Sequence, residues 1–175
     1  VAELALGLMI SVDRHIADST ADTRGGRWNK STYSKAMGLY GRTLAIIGLG
    51  DIGVAVADRA TGFGMSVIAV ANPERSTAAV QRAEEAGVTF VDTIDELLGT
   101  ADIVSLHVPG AESTKGMVDA AFLARMRDGA TLINTSRGNV VDEAALIDAM
   151  DRYATVGEIC GVLERSFGRY RPPEV

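Results

Sequence analysis

Cysteine occurs once in this 175-residue chain, at Cys160, and histidine only twice. One cysteine excludes an internal disulfide, and so few thiol and imidazole ligands give no expectation of a metal site. Long apolar runs are missing too, and no signal-peptide pattern opens the sequence. The expected setting is therefore a reducing cytoplasm with no membrane contact. Basic residues are in deficit: 17 Lys and Arg stand against 23 Asp and Glu, a formal charge of −6. That balance argues against nucleic acid as a partner. Internal repeats and low-complexity segments are absent.

What is present is an ordinary globular composition, 47% hydrophobic and 23% charged. The length suffices for one domain with a sizeable core. Leu4, Leu8, Val12 and Ile16 recur every four residues and predict an amphipathic first helix. A polar, glycine-containing stretch follows from Asp18 to Gly41. Strands are then expected over Thr43–Ile47, Ser66–Ala71, Val88–Val91, Ile103–His107 and Thr131–Thr135. Helices are expected over Ile52–Thr61, Thr77–Ala86, Ile94–Leu98, Ala120–Met126 (capped by Asp119) and Asp142–Met150. Short apolar strands alternating with helices predict an α/β fold. It is a Rossmann-type, doubly wound parallel sheet in three αβα layers.

Gly48-Leu49-Gly50-Asp51-Ile52-Gly53 follows directly on the apolar run Leu44–Ile47 and opens a helix. That order suits a dinucleotide. Gly48 allows a tight turn, Gly50 lets a pyrophosphate approach the backbone, and Gly53 lets the helix lie close on the strand. The helix N-terminus then offers free N–H groups to the phosphates. The same pattern also suits a purely structural strand-to-helix turn.

Five segments occur in order: Val1–Ala5, Gly48–Gly53, Phe63-Gly64-Met65, Asp102–Pro109 and Asn134–Gly138. Together they resemble the nicotinamide-binding domain of the D-isomer-specific 2-hydroxyacid dehydrogenases, over Val1 to about Ala149. That family includes phosphoglycerate, lactate, glyoxylate and formate dehydrogenases. The resemblance implies hydride transfer between a nicotinamide and C2 of a small 2-hydroxy or 2-oxo acid. It places Gly48, Gly50, Asp51, Ile52 and Gly53 at the pyrophosphate. His107, Val108 and Pro109 fall at the end of the fourth strand. Thr135, Ser136 and Arg137 fall beside the nicotinamide. Arg137 matches the arginine that grips the substrate carboxylate, a task suited to a permanently charged, bidentate guanidinium; it could also be a surface arginine serving loop carbonyls. For His107 a loop-filling role has equal standing.

Three departures from the family pattern stand out. Where the family carries an acidic residue for the adenosine ribose, this chain has Ala71, followed by Asn72 and Arg75. No carboxylate repels a 2′-phosphate there, and Arg75 could pair with one, so NADP is expected as readily as NAD. The family's substrate domain is absent from the sequence. After the last expected helix, the family's catalytic Glu and His are missing as well. The residues from Tyr153 to Tyr170 instead resemble the closing segment of cobalamin-dependent acyl-CoA mutases. The expected organisation is a dinucleotide-binding domain over 1–150 and an atypical helical segment over 151–175. It would be a weak catalyst alone and a homodimer through the first helix. The alternative is a non-enzymatic dinucleotide-sensing or protein-interaction domain.

Overall fold

Alternation along each strand assigns the two faces of the central sheet. In the computed structural model, which describes residues 1–152, five parallel strands lie in the order β3-β2-β1-β4-β5. They are β1 (Thr43–Ile47), β2 (Ser66–Val70), β3 (Val88–Val91), β4 (Ile103–Leu106) and β5 (Thr131–Asn134). Leu44 and Ile46 of β1, with Val67 and Ala69 of β2, pack toward α1 (Ala2–Asp13), α4 (Asp51–Gly62) and α5 (Thr77–Glu85). Ala45, Ile68, Val104 and Leu106 point the other way, toward α6 (Ile94–Thr100) and α7 (Ala120–Arg125). A sheet covered on both faces calls for apolar side chains at most strand positions, hence the mainly apolar runs. A final helix, α8, spans Glu143–Arg152. Among the described residues no helix is long and apolar enough to cross a membrane. The segment expected over 151–175 lies, beyond Arg152, outside the described residues.

The strands and central helices fall within a residue or two of their expected bounds. The first helix differs. It ends at Asp13, His15 adopts a left-handed φ of 51°, and a separate α2 runs over Ile16–Arg24. The buried face is Ala5, Leu6 and Met9, while Leu4 and Ile16 are exposed. The cause is geometric: a four-residue step overshoots the 3.6-residue turn, so a ladder of three such steps winds around the helix instead of keeping to one face. The stretch from Asp18 to Gly41 is also more ordered than expected. It holds most of α2 and a short α3 (Lys30–Tyr33). Asp22 ties them together, accepting from Arg27 at 2.6 Å and from the Tyr33 hydroxyl at 2.7 Å.

The N-terminal edge of the sheet is closed by a clamp of charges. Arg42, just before β1, donates to Asp13 at the end of α1 at 3.2 Å and to the Asp102 carbonyl at 3.2 Å. Asp102, just before β4, accepts from the Thr43 backbone N–H at 2.8 Å and from Arg127 at 2.7 Å. Asp13 also accepts from the Gly38 N–H at 2.9 Å. The Asp13 and Arg42 side chains are almost wholly buried. Such a pair holds because the carboxylate finds additional donors there.

Candidate functional site

The opposite edge of the sheet gathers the residues singled out from the sequence. Ile47 of β1 pairs with Leu106 of β4, which pairs with Asn134 of β5. Val70 of β2 pairs with Val91 of β3, and the β1–β2 register, continued two residues, brings Val70 level with Ile47. One step beyond this row stand Ala71, Gly48, His107 and Thr135. The chain leaves β1 for β2 on one side and later places β4 on the other. Between β1 and β4 this reversal opens the crevice where open α/β sheets take their ligands.

The three glycines of the first turn answer to different neighbours. Gly48 has φ 100°, and a Cβ there would lie 2.5 Å from the His107 carbonyl oxygen. At Gly53, buried in the first turn of α4, a Cβ would collide with the Gly48 carbonyl oxygen. Both are demanded by the fold. Gly50 has an extended backbone, φ −81° and ψ −166°, and a Cβ there would meet nothing within 4 Å. The protein itself does not need glycine at 50, so the open space beside it fits an approaching phosphate. No side chain caps α4 at this end. The first-turn N–H groups of Asp51, Ile52 and Gly53 are thus left to an anion, supported by the helix dipole. The Asp51 carboxylate turns aside to Arg82 of α5 at 2.9 Å, so only its backbone belongs to the cradle. Ile52 is exposed beside it.

Beyond β2, Asn72 builds a tight turn. Its Oδ1 accepts from the Glu74 N–H and its carbonyl from the Arg75 N–H, each at 3.0 Å. This carries Arg75 back over the sheet edge, with its guanidinium over the Phe90 ring of β3, 5.5 Å from the centroid. Arg75 Nη1 is buried and has no hydrogen-bond partner among the described residues. A buried cationic N–H without an acceptor is a place for an anion.

Beyond β4, the His107 N–H donates to the Ile47 carbonyl at 2.7 Å, and its ring Nε2 lies 2.9 Å from the Ser105 hydroxyl. Burial pushes the imidazole down to a pKa of about 4, so the ring is neutral at pH 7. Val108 is half-buried against the α6–α7 layer, and Pro109 is exposed. Beyond β5, Asn134 shapes the turn that carries Arg137. Its Oδ1 accepts from the Ser136 N–H at 3.0 Å and the Ser136 hydroxyl at 2.7 Å, and its Nδ2 donates to the Arg137 carbonyl at 2.9 Å. The Thr135 hydroxyl is buried without a partner among the described residues. Arg137 is exposed and donates from Nη1 to the Ser136 carbonyl at 2.9 Å. The two loops meet at Gly110, where a Cβ would lie 2.7 Å from Arg137 Cγ.

Sequence reasoning missed Asn134, Gly110, Ser105 and Phe90. Asn134 has a local signal, an Asn two residues before a Ser at a strand end, as in Asx turns. Gly110 and Phe90 have none, because their partners are 27 and 15 residues distant along the chain. What the edge offers is an uncapped helix N-terminus beside open space at its centre, one guanidinium on the β2–β3 side and another on the β5 side.

An α/β sheet with this strand order and this glycine turn defines a dinucleotide-binding domain of the Rossmann type. Residues 6–165 match the family described as D-isomer specific 2-hydroxyacid dehydrogenase, NAD binding domain, and the chain belongs to that family. Its cofactor class is accordingly a nicotinamide dinucleotide. The chain is 43% identical over 150 residues to the hydroxypyruvate reductase of Thermotoga maritima, covering 85% of this chain and 45% of that protein. It is 40% identical over 150 residues to the D-3-phosphoglycerate dehydrogenase of Methanocaldococcus jannaschii, covering 86% and 28%. Among solved structures it resembles the apo form of D-lactate dehydrogenase from Escherichia coli. There the TM-score is 0.76 at 34% identity, over 87% of this chain and 46% of that one. The chain thus spans less than half the length of these relatives.

Proposed function

We propose that this domain holds the nicotinamide cofactor of an oxidoreductase that interconverts small 2-hydroxy and 2-oxo acids. The observation that carries the reading is the open space at Gly50, over an uncapped helix N-terminus, in a turn whose other two glycines are fixed by the fold. The bound nicotinamide would supply or accept the hydride. The first turn of α4 would hold the pyrophosphate, and the unpartnered Thr135 hydroxyl and Ser136 would line the nicotinamide side. Arg137 would grip the substrate carboxylate through its free N–H groups and draw charge from the keto oxygen.

Three finer points rest on separate observations. The buried Arg75 Nη1, with Ala71 in place of an acid, supports binding of a 2′-phosphate, hence NADP at least as well as NAD. Exposed Leu4 and half-buried Leu8 and Val12 on α1 support a homodimer through that helix. The lone cysteine supports a cytoplasmic setting. A likeness of the segment from Tyr153 to acyl-CoA mutases rests on its sequence pattern alone, and the dehydrogenase family match extends into it.

The test is titration of the 175-residue chain with NADH and NADPH by calorimetry, followed by an absorbance assay with glyoxylate and hydroxypyruvate. Saturable binding of a dinucleotide with slow oxidation of it by a 2-oxo acid is expected. No binding of either dinucleotide would overturn the reading.

A further inference from the structure

Ser105 is the only buried polar residue in the described core, with 0% of its surface exposed. It sits in the middle of β4, level with Ile46 of β1 and Ile133 of β5, where the pattern of the row calls for an apolar side chain. Among the described residues its hydroxyl has one partner, Nε2 of His107 at 2.9 Å. One proton lies between the two atoms, and its owner can be deduced. If Nε2 carried it, the serine would only accept, and its own O–H would be an unmet donor in a dry core. If the serine donates, Nε2 is the bare nitrogen, the ring proton sits on Nδ1, and the hydroxyl is satisfied. A charged imidazolium would restore the unmet donor, in agreement with the burial that already favours the neutral ring. Nδ1 itself has no partner among the described residues, and His107 as a whole is half-buried. The ring itself belongs to the strand end, where the His107 backbone abuts Gly48.

We propose that Ser105 is a positioning residue: it locks His107 as the neutral Nδ1–H tautomer, so that the ring meets an oxygen of the bound dinucleotide as a fixed hydrogen-bond donor, not as an acid or base. The dinucleotide as its target rests on the function proposed above; the tautomer does not. The lock explains why a hydroxyl is placed in an apolar row. It also gives the histidine at this strand end a role that needs no proton transfer.

Nitrogen-detected NMR on 15N-histidine-labelled chain reads the tautomer directly, with exposed His15 as the internal reference. The Nδ1–H pattern is expected for His107 at pH 7, and the Ser105→Ala chain should shift toward the Nε2–H form. By calorimetry with NADH and NADPH, Ser105→Ala should bind roughly three- to tenfold more weakly, the effect of loosening one hydrogen bond. His107→Asn places an amide donor where Nδ1–H stood and should bind within about threefold of wild type, whereas His107→Phe should lose about tenfold. An Nε2–H pattern in the wild type overturns the lock. An Nδ1–H pattern with unchanged affinity in both Ser105→Ala and His107→Phe overturns the donor role. Failure of the wild type to bind either dinucleotide removes the donor's target and the function proposed above, while the NMR pattern still decides the lock.

Discussion

Three glycines within one hexapeptide answer to three constraints, and substitution separates them. At Gly50 the protein leaves room for a side chain. Gly50→Val should therefore keep its melting temperature and circular dichroism while losing measurable dinucleotide binding by calorimetry. Gly53→Ala forces a Cβ into the Gly48 carbonyl. It should lower the unfolding free energy by about 1–3 kcal/mol, seen in urea titration, because backbone must shift to admit it. Arg75 is testable in the same way. Its stack on Phe90 pre-places a guanidinium for a phosphate. Arg75→Ala should weaken NADPH binding about tenfold with little effect on NADH, and Ala71→Asp should reverse the order of the two cofactors. A wild type that prefers NADH, unaltered by either change, would show that this loop does not read the ribose. His107 adds a pH dependence. Its pKa in the folded chain is about 4, below the ordinary 6.5, through burial. Between these values the unfolded chain binds the additional proton, so stability falls as pH drops through that window and is unaffected above it. Urea titrations at pH 7 and pH 5 should show a smaller loss for His107→Asn than for the wild type.

At the scale of elements, legibility followed the physics of each piece. A strand buried on both faces announces itself as an apolar run, as at Thr43–Ile47, and the edge strand Val88–Val91, with Thr89 exposed, was readable to the residue as well. Caps were readable where a short polar side chain precedes a helix. Asp119 accepts from the Phe122 N–H at 2.7 Å and starts α7 as expected. With only six residues and one buried aromatic, α7 depends on that bond. Asp119→Ala should cost about 0.5–2 kcal/mol by thermal or chemical unfolding. The break at His15 was not readable, because it turns on the tertiary placement of α1 and α2 and no glycine or proline marks it. For the site, the glycine turn was legible as a local pattern, while Ala71 and Arg137 were singled out through the family resemblance. The Arg75–Phe90 stack and the Gly110–Arg137 contact were not, since only the assembled sheet brings those loops together.

At the scale of the whole molecule, the outer face of α1 and the segment after it carry large exposed apolar groups. Leu4 is 60% exposed, Trp28 83% and Tyr40 86%. Sedimentation velocity at micromolar concentration should show a concentration-dependent dimer, and Leu4→Glu should shift it toward monomer. A clean monomer for the wild type would refute the homodimer. The charge clamp of Asp13, Arg42, Asp102 and Arg127 lies at the far end of every strand from the glycine turn. This polarity divides the molecule into an anchored end and an end that carries the candidate site. On the function proposed above, changes at Ala71, Arg75 or the Arg137 loop would alter cofactor or substrate preference without loosening the anchored edge. A domain wired this way can be inherited intact by enzymes of differing specificity, and a laboratory lineage selected for a new cofactor should gather its changes at one edge alone.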